Sequence, residues 1–259
     1  MDLGITGKHA IVCASSKGLG RACAMSLAEN GVSVVINGRD QKALDATARY
    51  IASEYDVGVT PVQADVGTPE GQRALLEACP NPDILINNNG GPPFKDFREL
   101  SRDAMLAGVS MNMITPIELI QKVIDGMAER RFGRIVNITS LSVKMPIPGL
   151  DLSSGARAGL TSFLAGVAPK VAEHNVTINN VLPGFFLTDR QNAALNKAMK
   201  ERSLSLEEAI AERAETVPAK RFGDPAEFGE ACTFLCAAQA GYITGQNLLI
   251  DGGRFPGAF

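Results

Sequence analysis

An open, doubly wound α/β sheet of about seven parallel strands is the architecture this 259-residue chain encodes, and three observations carry that reading. Short Val/Ile-rich runs alternate with longer helical segments from one end of the chain to the other. Within the runs the apolar residues are nearly continuous rather than alternating, as in strands covered by helices on both faces. A glycine-containing turn joins the first run to the helix behind it. The runs are 8–14 (KHAIVCA), 32–37 (VSVVIN), 57–64 (VGVTPVQA), 83–87 (DILIN), 134–139 (RIVNIT), 176–182 (VTINNVL) and 247–251 (NLLID). Parallel neighbours need crossovers, and the helical segments between the runs supply them.

Helix starts are written into the chain. Thr68-Pro69-Glu70 sets an N-cap before a first-turn proline, and Asp224-Pro225-Ala226-Glu227 does the same with an acid at the third helical position. Ser205 and Glu208 form a capping box, and Asp40 reads as the N-cap of the helix after the second strand. The rhythm breaks over 188–216, where two amphipathic segments follow one another without a strand. Leu195, Met199, Leu204 and Ile210 alternate there with Lys197, Lys200, Glu201, Glu208 and Glu212. That segment is either a surface helix pair or a flap over a ligand crevice. No repeat or linker divides the chain, so residues 1–259 are expected to form a single domain.

Composition narrows the functions. Hydrophobic residues at 45% and charged residues at 20% suit a globule with a sizeable core. The net charge is −3 and the largest basic clump is Arg130-Arg131-Phe132-Gly133-Arg134, so no nucleic-acid partner is expected. No apolar run approaches the ~20 residues of a membrane helix, and Met1 to Thr6 lack a leader pattern. A cytoplasmic location and no membrane partner are the expectation. Cysteines 13, 23, 79, 232 and 236 are odd in number and lack metal spacing. Cys232 and Cys236 share a helical face and read as buried apolar residues. His9 and His174 read as structural or surface residues, and no metal site is expected.

The turn after the first run is Cys13-Ala14-Ser15-Ser16-Lys17-Gly18-Leu19-Gly20. Glycines there let a backbone approach a pyrophosphate seated on the free N–H groups of the following helix. The chain here resembles the short-chain dehydrogenase/reductase family, whose turn reads Thr-Gly-x-x-x-Gly-x-Gly. Gly18 and Gly20 match, while Cys13 and Ala14 replace the Thr and the first Gly. Asp65-Val66 closes the third strand, where the family contacts adenine. Asn87-Asn88-Asn89-Gly90 is similar to its Asn-Asn-Ala-Gly, and Pro183-Gly184 with Thr188 to its Pro-Gly-x-x-x-Thr beside the nicotinamide. Tyr242-Ile243-Thr244-Gly245-Gln246 and Asp251-Gly252-Gly253 match its C-terminal stretch. The resemblance spans nearly the whole chain and implies a Rossmann-type fold. An acid ending the second strand would favour NAD(H), but this chain has Arg39 there, and Lys17 is a second basic position. With Asp40 spent on a helix cap, NADP(H) is expected over NAD(H). The implied cofactor-binding residues are Ser15, Ser16, Lys17, Gly18, Leu19, Gly20, Arg39, Asp65, Val66, Asn88, Asn89, Gly90, Pro183, Gly184 and Thr188.

At the catalytic end the resemblance breaks. The family uses an Asn, a Ser and a Tyr-x-x-x-Lys pair. Asn112 and Ser140 align with the first two, but the Tyr and Lys positions hold Ser153 and Arg157. A Ser hydroxyl is far less acidic than a phenol and shorter by a ring. Arg157 cannot relay protons, yet it shares a helical face with Ser153 and remains able to hold a ribose or stabilise an alkoxide. Tyr50, Tyr55 and Tyr242 are expected away from this spot, and Lys144 and Asp151 beside it are read as solvated. Phe185-Phe186-Leu187 either line a substrate pocket or pack beneath the flap. Two functions remain open. One is an NADP(H)-dependent oxidoreductase acting on a ketone or secondary alcohol, resembling 3-oxoacyl-carrier-protein reductases, with an atypical centre. The other is a catalytically impaired NADP-binding homologue serving as scaffold or regulatory partner. The resemblance implies a homotetramer, or a hetero-oligomer with an intact paralogue.

Overall fold

Each apolar run becomes a parallel strand in the computed structural model, which describes every residue except Pro93 and Phe259 and, at positions 190, 192–194, 197, 198 and 201, the backbone alone. The strands are β1 (His9–Val12), β2 (Ser33–Gly38), β3 (Val59–Gln63), β4 (Ile84–Asn87), β5 (Gly133–Ile138), β6 (Val176–Pro183) and β7 (Asn247–Ile250). They lie in the order β3-β2-β1-β4-β5-β6-β7. The chain winds outward from β1 to β3, then returns to lay β4 on the other side of β1. Connections leaving β1 and β4 therefore head in opposite directions, and a crevice opens between their carboxyl ends.

Alternation along β1 assigns the two cores. Ala10 and Val12 point into a cluster with Leu27, Leu44 and Phe228, from α1 (Gly18–Glu29), α2 (Gln41–Glu54) and α9 (Pro225–Cys236). Ile11 points the other way, to Leu75, Leu119 and Leu160 from α3 (Pro69–Ala78), α5 (Thr115–Glu129) and α6 (Asp151–Val171). A short helix, α4 (Arg102–Val109), precedes α5.

The expected burial on both faces fails at the sheet edges. No residue of β3 is fully buried, and Leu248 of β7 is exposed. An edge strand lacks a neighbour on one side, which is also why β3 accommodates Pro61, whose missing N–H costs an edge little.

The helix starts form as read from the chain. Thr68 accepts from the Gly71 amide, Asp40 from Ala43, and Ser205 and Asp224 open full capping boxes with Glu208 and Glu227. The basic clump is consumed by the fold. Arg130 donates to the Pro82 carbonyl, Arg131 to Glu173, and the fully buried Arg134 to the carbonyls of Gly133, Asn175 and Ala237.

The segment 188–216 is a helix pair, α7 (Asp189–Arg202) and α8 (Leu206–Glu215), with its own small core of Leu195, Ala209, Ala214 and Phe222. Met199, Leu204 and Ile210 pack against that core, and Arg202 pairs with Glu212 across the two helices. Of the charged positions read on its outer face, Lys197 and Glu201 lie outside the described side chains. Among the described residues, no helix is long and apolar enough to cross a membrane.

Candidate active site

The turn after β1 is held by side chains from two neighbouring strands. The Ala14 amide donates to Asn37 Oδ1 at 3.2 Å, and Asn88 Nδ2 donates to the Ala14 carbonyl at 3.1 Å. Asn37 also donates to the carbonyls of Val62 and Ala64, tying the turn to the end of β3. Gly18 takes a φ of +58°, a conformation that favours glycine. Gly20 is required by space, since a Cβ there would stand 2.4 Å from the Ala14 carbonyl oxygen. Ala14 itself sits at φ +45° without being glycine. Ser15 does not face the crevice. It is fully buried, its hydroxyl donating to the Val12 carbonyl at 2.6 Å and accepting from the Asn37 amide at 2.9 Å. Burial pushes the Cys13 thiol up to about 12, so no thiolate stands at the start of the turn.

Ser16, Lys17, Arg39, Asp65, Asn89 and Gly90 line a cleft of about 350 Å³ beside the turn. Neither cation is unpaired there. Lys17 lies 3.4 Å from Asp40 and Arg39 lies 3.6 Å from Asp65. Asp40 thus does more than cap α2: the Ala43 amide first, and Lys17 after it, hold its carboxyl below the usual range. Asp65 also shapes the entry to α3 by accepting from the Gly67 amide. Both ion pairs are exposed and therefore weak, so a doubly charged phosphate can draw the two cations away. Gly90 has open space where a Cβ would project.

A second cavity of about 240 Å³ lies across the ends of β4, β5 and β6, lined by Leu19, Asn88, Asn89, Ser140, Ser153, Arg157, Pro183, Gly184 and Thr188, among others. Ser140 follows β5, and its oxygen accepts from the Ser142 amide at 3.1 Å, which leaves its own proton to donate. Ser153 and Arg157 occupy successive turns of α6, and both are buried. Arg157 Nε donates to Ser153 Oγ at 3.3 Å, Nη1 to the Ile138 carbonyl at 2.7 Å, and Nη2 to the Asn89 carbonyl at 3.4 Å. The guanidinium thus ties the ends of β4 and β5 together, where the sequence suggested a ribose or alkoxide partner. Asn112 stands behind this cavity, in a π-helical turn, Ser110–Ile114, between α4 and α5. Its Nδ2 donates to the Gly90 carbonyl at 3.3 Å, while its Oδ1 and that of Asn87 have no hydrogen-bond partner. Both residues, with Arg157, line a pocket of about 20 Å³, the size of one water.

Comparison with known proteins decides what this arrangement belongs to. Residues 13–254 match the family model described as enoyl-(acyl carrier protein) reductase. The chain is 33% identical to 3-oxoacyl-(acyl-carrier-protein) reductase FabG of Vibrio harveyi, over 98% of this chain and 99% of that one. The chain belongs to the short-chain dehydrogenase/reductase family. It is also 30% identical to the NADPH-dependent reductase BacG of Bacillus subtilis, over 95% of this chain and 97% of that one. Its fold superimposes, with a TM-score of 0.94, on the crystal structure of L-sorbose reductase from Gluconobacter frateurii complexed with NADPH and L-sorbose. That match is 28% identical and covers 99% of this chain and 100% of the other.

Measured against the short-chain dehydrogenase/reductase pattern, no tyrosine reaches the second cavity. Tyr50 lies under Arg21, Tyr55 lines a crevice on the outer side of α1, and Tyr242 is fully exposed. Lys144 stands over the Phe255 ring, and Asp151 is exposed at the start of α6. Cys232 and Cys236 are buried, and no group of three metal-ligating side chains occurs among the described residues. The aromatic pair divides its roles. Phe185 lines the cavity and packs on the flap, whereas Phe186, also at the cavity wall, is buried edge-on against Phe228; Leu187 is exposed. Sequence reading did not single out Arg213, Arg254, Phe94, Ile147 and Leu150, which also line the cavity. They come from the flap, the tail and two loops without motifs, so no local signal marks them.

Proposed function

We propose that this short-chain dehydrogenase/reductase interconverts a ketone and a secondary alcohol with NADP(H), at a centre where Ser153 and Arg157 stand in for Tyr and Lys. The observation that carries this reading is continuity. Asn89 lines both the cleft of Lys17 and Arg39 and the cavity of Ser140, so a dinucleotide laid over the glycine turn spans the two. The glycine turn, the space at Gly90 and the two cations fit such a ligand, with Lys17 and Arg39 facing a ribose phosphate. Relatives named for NADPH support that choice over NAD(H), and the carrier-protein reductases support a ketone, an acyl thioester among them.

When bound, the nicotinamide supplies the hydride. The chain's own task is to meet the negative charge that grows on the substrate oxygen. Ser140 donates to that oxygen, and Ser153, whose oxygen accepts from Arg157, likewise keeps its proton to donate. Arg157 supplies a fixed positive charge beside them but passes on no proton, so the proton comes from water, which Asn112 and Asn87 are placed to hold. Losing a phenolic acid costs ~10²–10⁴ in rate.

A second reading, an NADP-binding scaffold or regulatory partner without turnover, draws on one observation: the Arg157 donors are directed to the Ile138 and Asn89 carbonyls. The enzyme reading goes with a cytoplasmic homotetramer and the scaffold reading with a hetero-oligomer containing an intact paralogue.

NADPH oxidation with a panel of ketones and 3-oxoacyl thioesters separates the two. The enzyme turns over, and Ser140→Ala lowers its rate by about a hundredfold or more. Tight NADPH binding without turnover, with activity gained in the Ser153→Tyr/Arg157→Lys double variant, identifies the scaffold.

A further inference from the structure

The cavity beside Ser140 is bounded on the flap side by two arginines that the chemistry above leaves unused. Arg213 comes from α8 and Arg254 from the tail after β7, and both line the cavity. They lie against one ring: their guanidinium carbons are 4.2 Å and 3.9 Å from the centroid of Phe185. Among the described residues, no carboxylate forms an ion pair with either. Arg254 reaches the Thr216 hydroxyl at 3.5 Å, and Arg213 Nε is buried without a hydrogen-bond partner. Asp251 is near enough to act on Arg254, but its oxygens accept from the amides of Gly253 and Phe255. Burial lowers the pKa of both guanidinium groups, and the charge of Arg254 lowers that of Arg213 further.

Two half-buried like charges on one ring are unfavourable unless something else answers them. The chain has 28 acidic residues against 25 basic ones, yet among the described residues every charged one lining this cavity is an arginine: Arg157, Arg213 and Arg254. Arg157 is engaged by Ser153 and the Ile138 carbonyl. The other two belong to neither the glycine turn nor the cleft of Lys17 and Arg39, and they enter the cavity from the flap and the tail, on Phe185. Phe94, Leu141, Ile147 and Leu150 add an apolar stretch to the wall beside the polar Asn88, Asn89, Ser140 and Thr188.

We infer that Arg213 and Arg254 seat an anionic group of the substrate, which is therefore a carbonyl compound or its alcohol with an apolar body and a carboxylate or phosphate remote from the reacting carbon. The inference rests on the oxidoreductase reading for the reacting carbon, but not for the anion seat.

The test is calorimetry on the full chain, with and without NADPH, using 6-oxoheptanoate, its methyl ester and 5-oxohexyl phosphate as probes. The wild type is compared with Arg213→Gln and Arg254→Gln. At least one of the two anions is expected to bind the wild type, and the one that does identifies the group as carboxylate or phosphate. If it is the oxoacid, it binds about tenfold or more tighter than its ester. In either case binding weakens about tenfold in each variant while NADPH affinity stays unchanged. Equal binding of oxoacid and ester without arginine-dependent binding of the phosphate overturns the inference. So does anion binding that survives in both variants, a joint loss of NADPH and anion binding in the variants, or no binding of either anion. Failure of the wild type to bind NADPH strikes the oxidoreductase reading instead, and the anion comparison without cofactor still decides the seat.

Discussion

Ala14 shows how much of the site rests on single backbone angles. At φ +45° an L side chain crowds its own carbonyl, at a cost of roughly 1–2 kcal/mol that glycine avoids. Glycine also has more unfolded freedom to lose, which offsets part of that gain. Ala14→Gly is therefore expected to stabilise the protein by about 0.5–1 kcal/mol in urea unfolding, and a loss of stability would show the angle to be unstrained. Gly18 and Gly20 could be read in the chain because their spacing after a strand has a fixed use. Ser15 could not be told from Ser16, although one hydroxyl is buried between β1 and β2 and the other residue lines the cleft. Both lie in the turn after β1, and only the way that turn folds back against Val12 and Asn37 decides which of them faces the ligand. Arg157 teaches the same lesson. Its spacing from Ser153 was legible and their contact follows from it, but its bonds to Ile138 and Asn89 depend on where β4 and β5 end.

Helix ends were the most legible elements, because a cap is a local contract between a side chain and an amide three residues on. The box at Asp224–Glu227 carries a pH consequence. The Arg221 hydrogen bonds, and then the Asp224 amide, pull the Glu227 carboxyl from an ordinary 4.5 down to about 2. A carboxylate depressed in the fold adds stability above its unfolded pKa and loses it as pH falls through the folded one. The contribution is thus complete above about pH 4.5 and disappears towards pH 2, and it is small because the pair is half exposed. Glu227→Gln should have a lower urea midpoint than the wild type at pH 7, with the gap closing near pH 2; a gap independent of pH would contradict the assignment. The π-helical turn holding Asn112 was not anticipated, although Pro116 signals it. Proline has no N–H for the carbonyl four residues back, which is that of Asn112, and the Thr115 amide bonds instead to Ser110.

In the whole molecule, strand order and helix layers follow from few rules. Short apolar runs joined by helices permit a parallel sheet with right-handed crossovers, and the return of β4 to β1 sets the crevice. What such rules do not reach is the far wall of the cavity. Arg213 and Arg254 stand 41 positions apart on a flap and a tail, and only the packing around Phe185 brings them together. The ion pairs Lys17–Asp40 and Arg39–Asp65 were hidden for the same reason, since partners across a sheet end leave no local spacing. The two clefts joined at Asn89 are the proposed seat of a phosphorylated dinucleotide, whatever the rate of turnover. Calorimetric titration of the wild type and Arg39→Ala with NADPH and NADH examines that seat. The expected result is NADPH bound at least about tenfold more tightly than NADH, with the preference falling in the variant. Absence of heat with both nucleotides, or a preference for NADH, would contradict it.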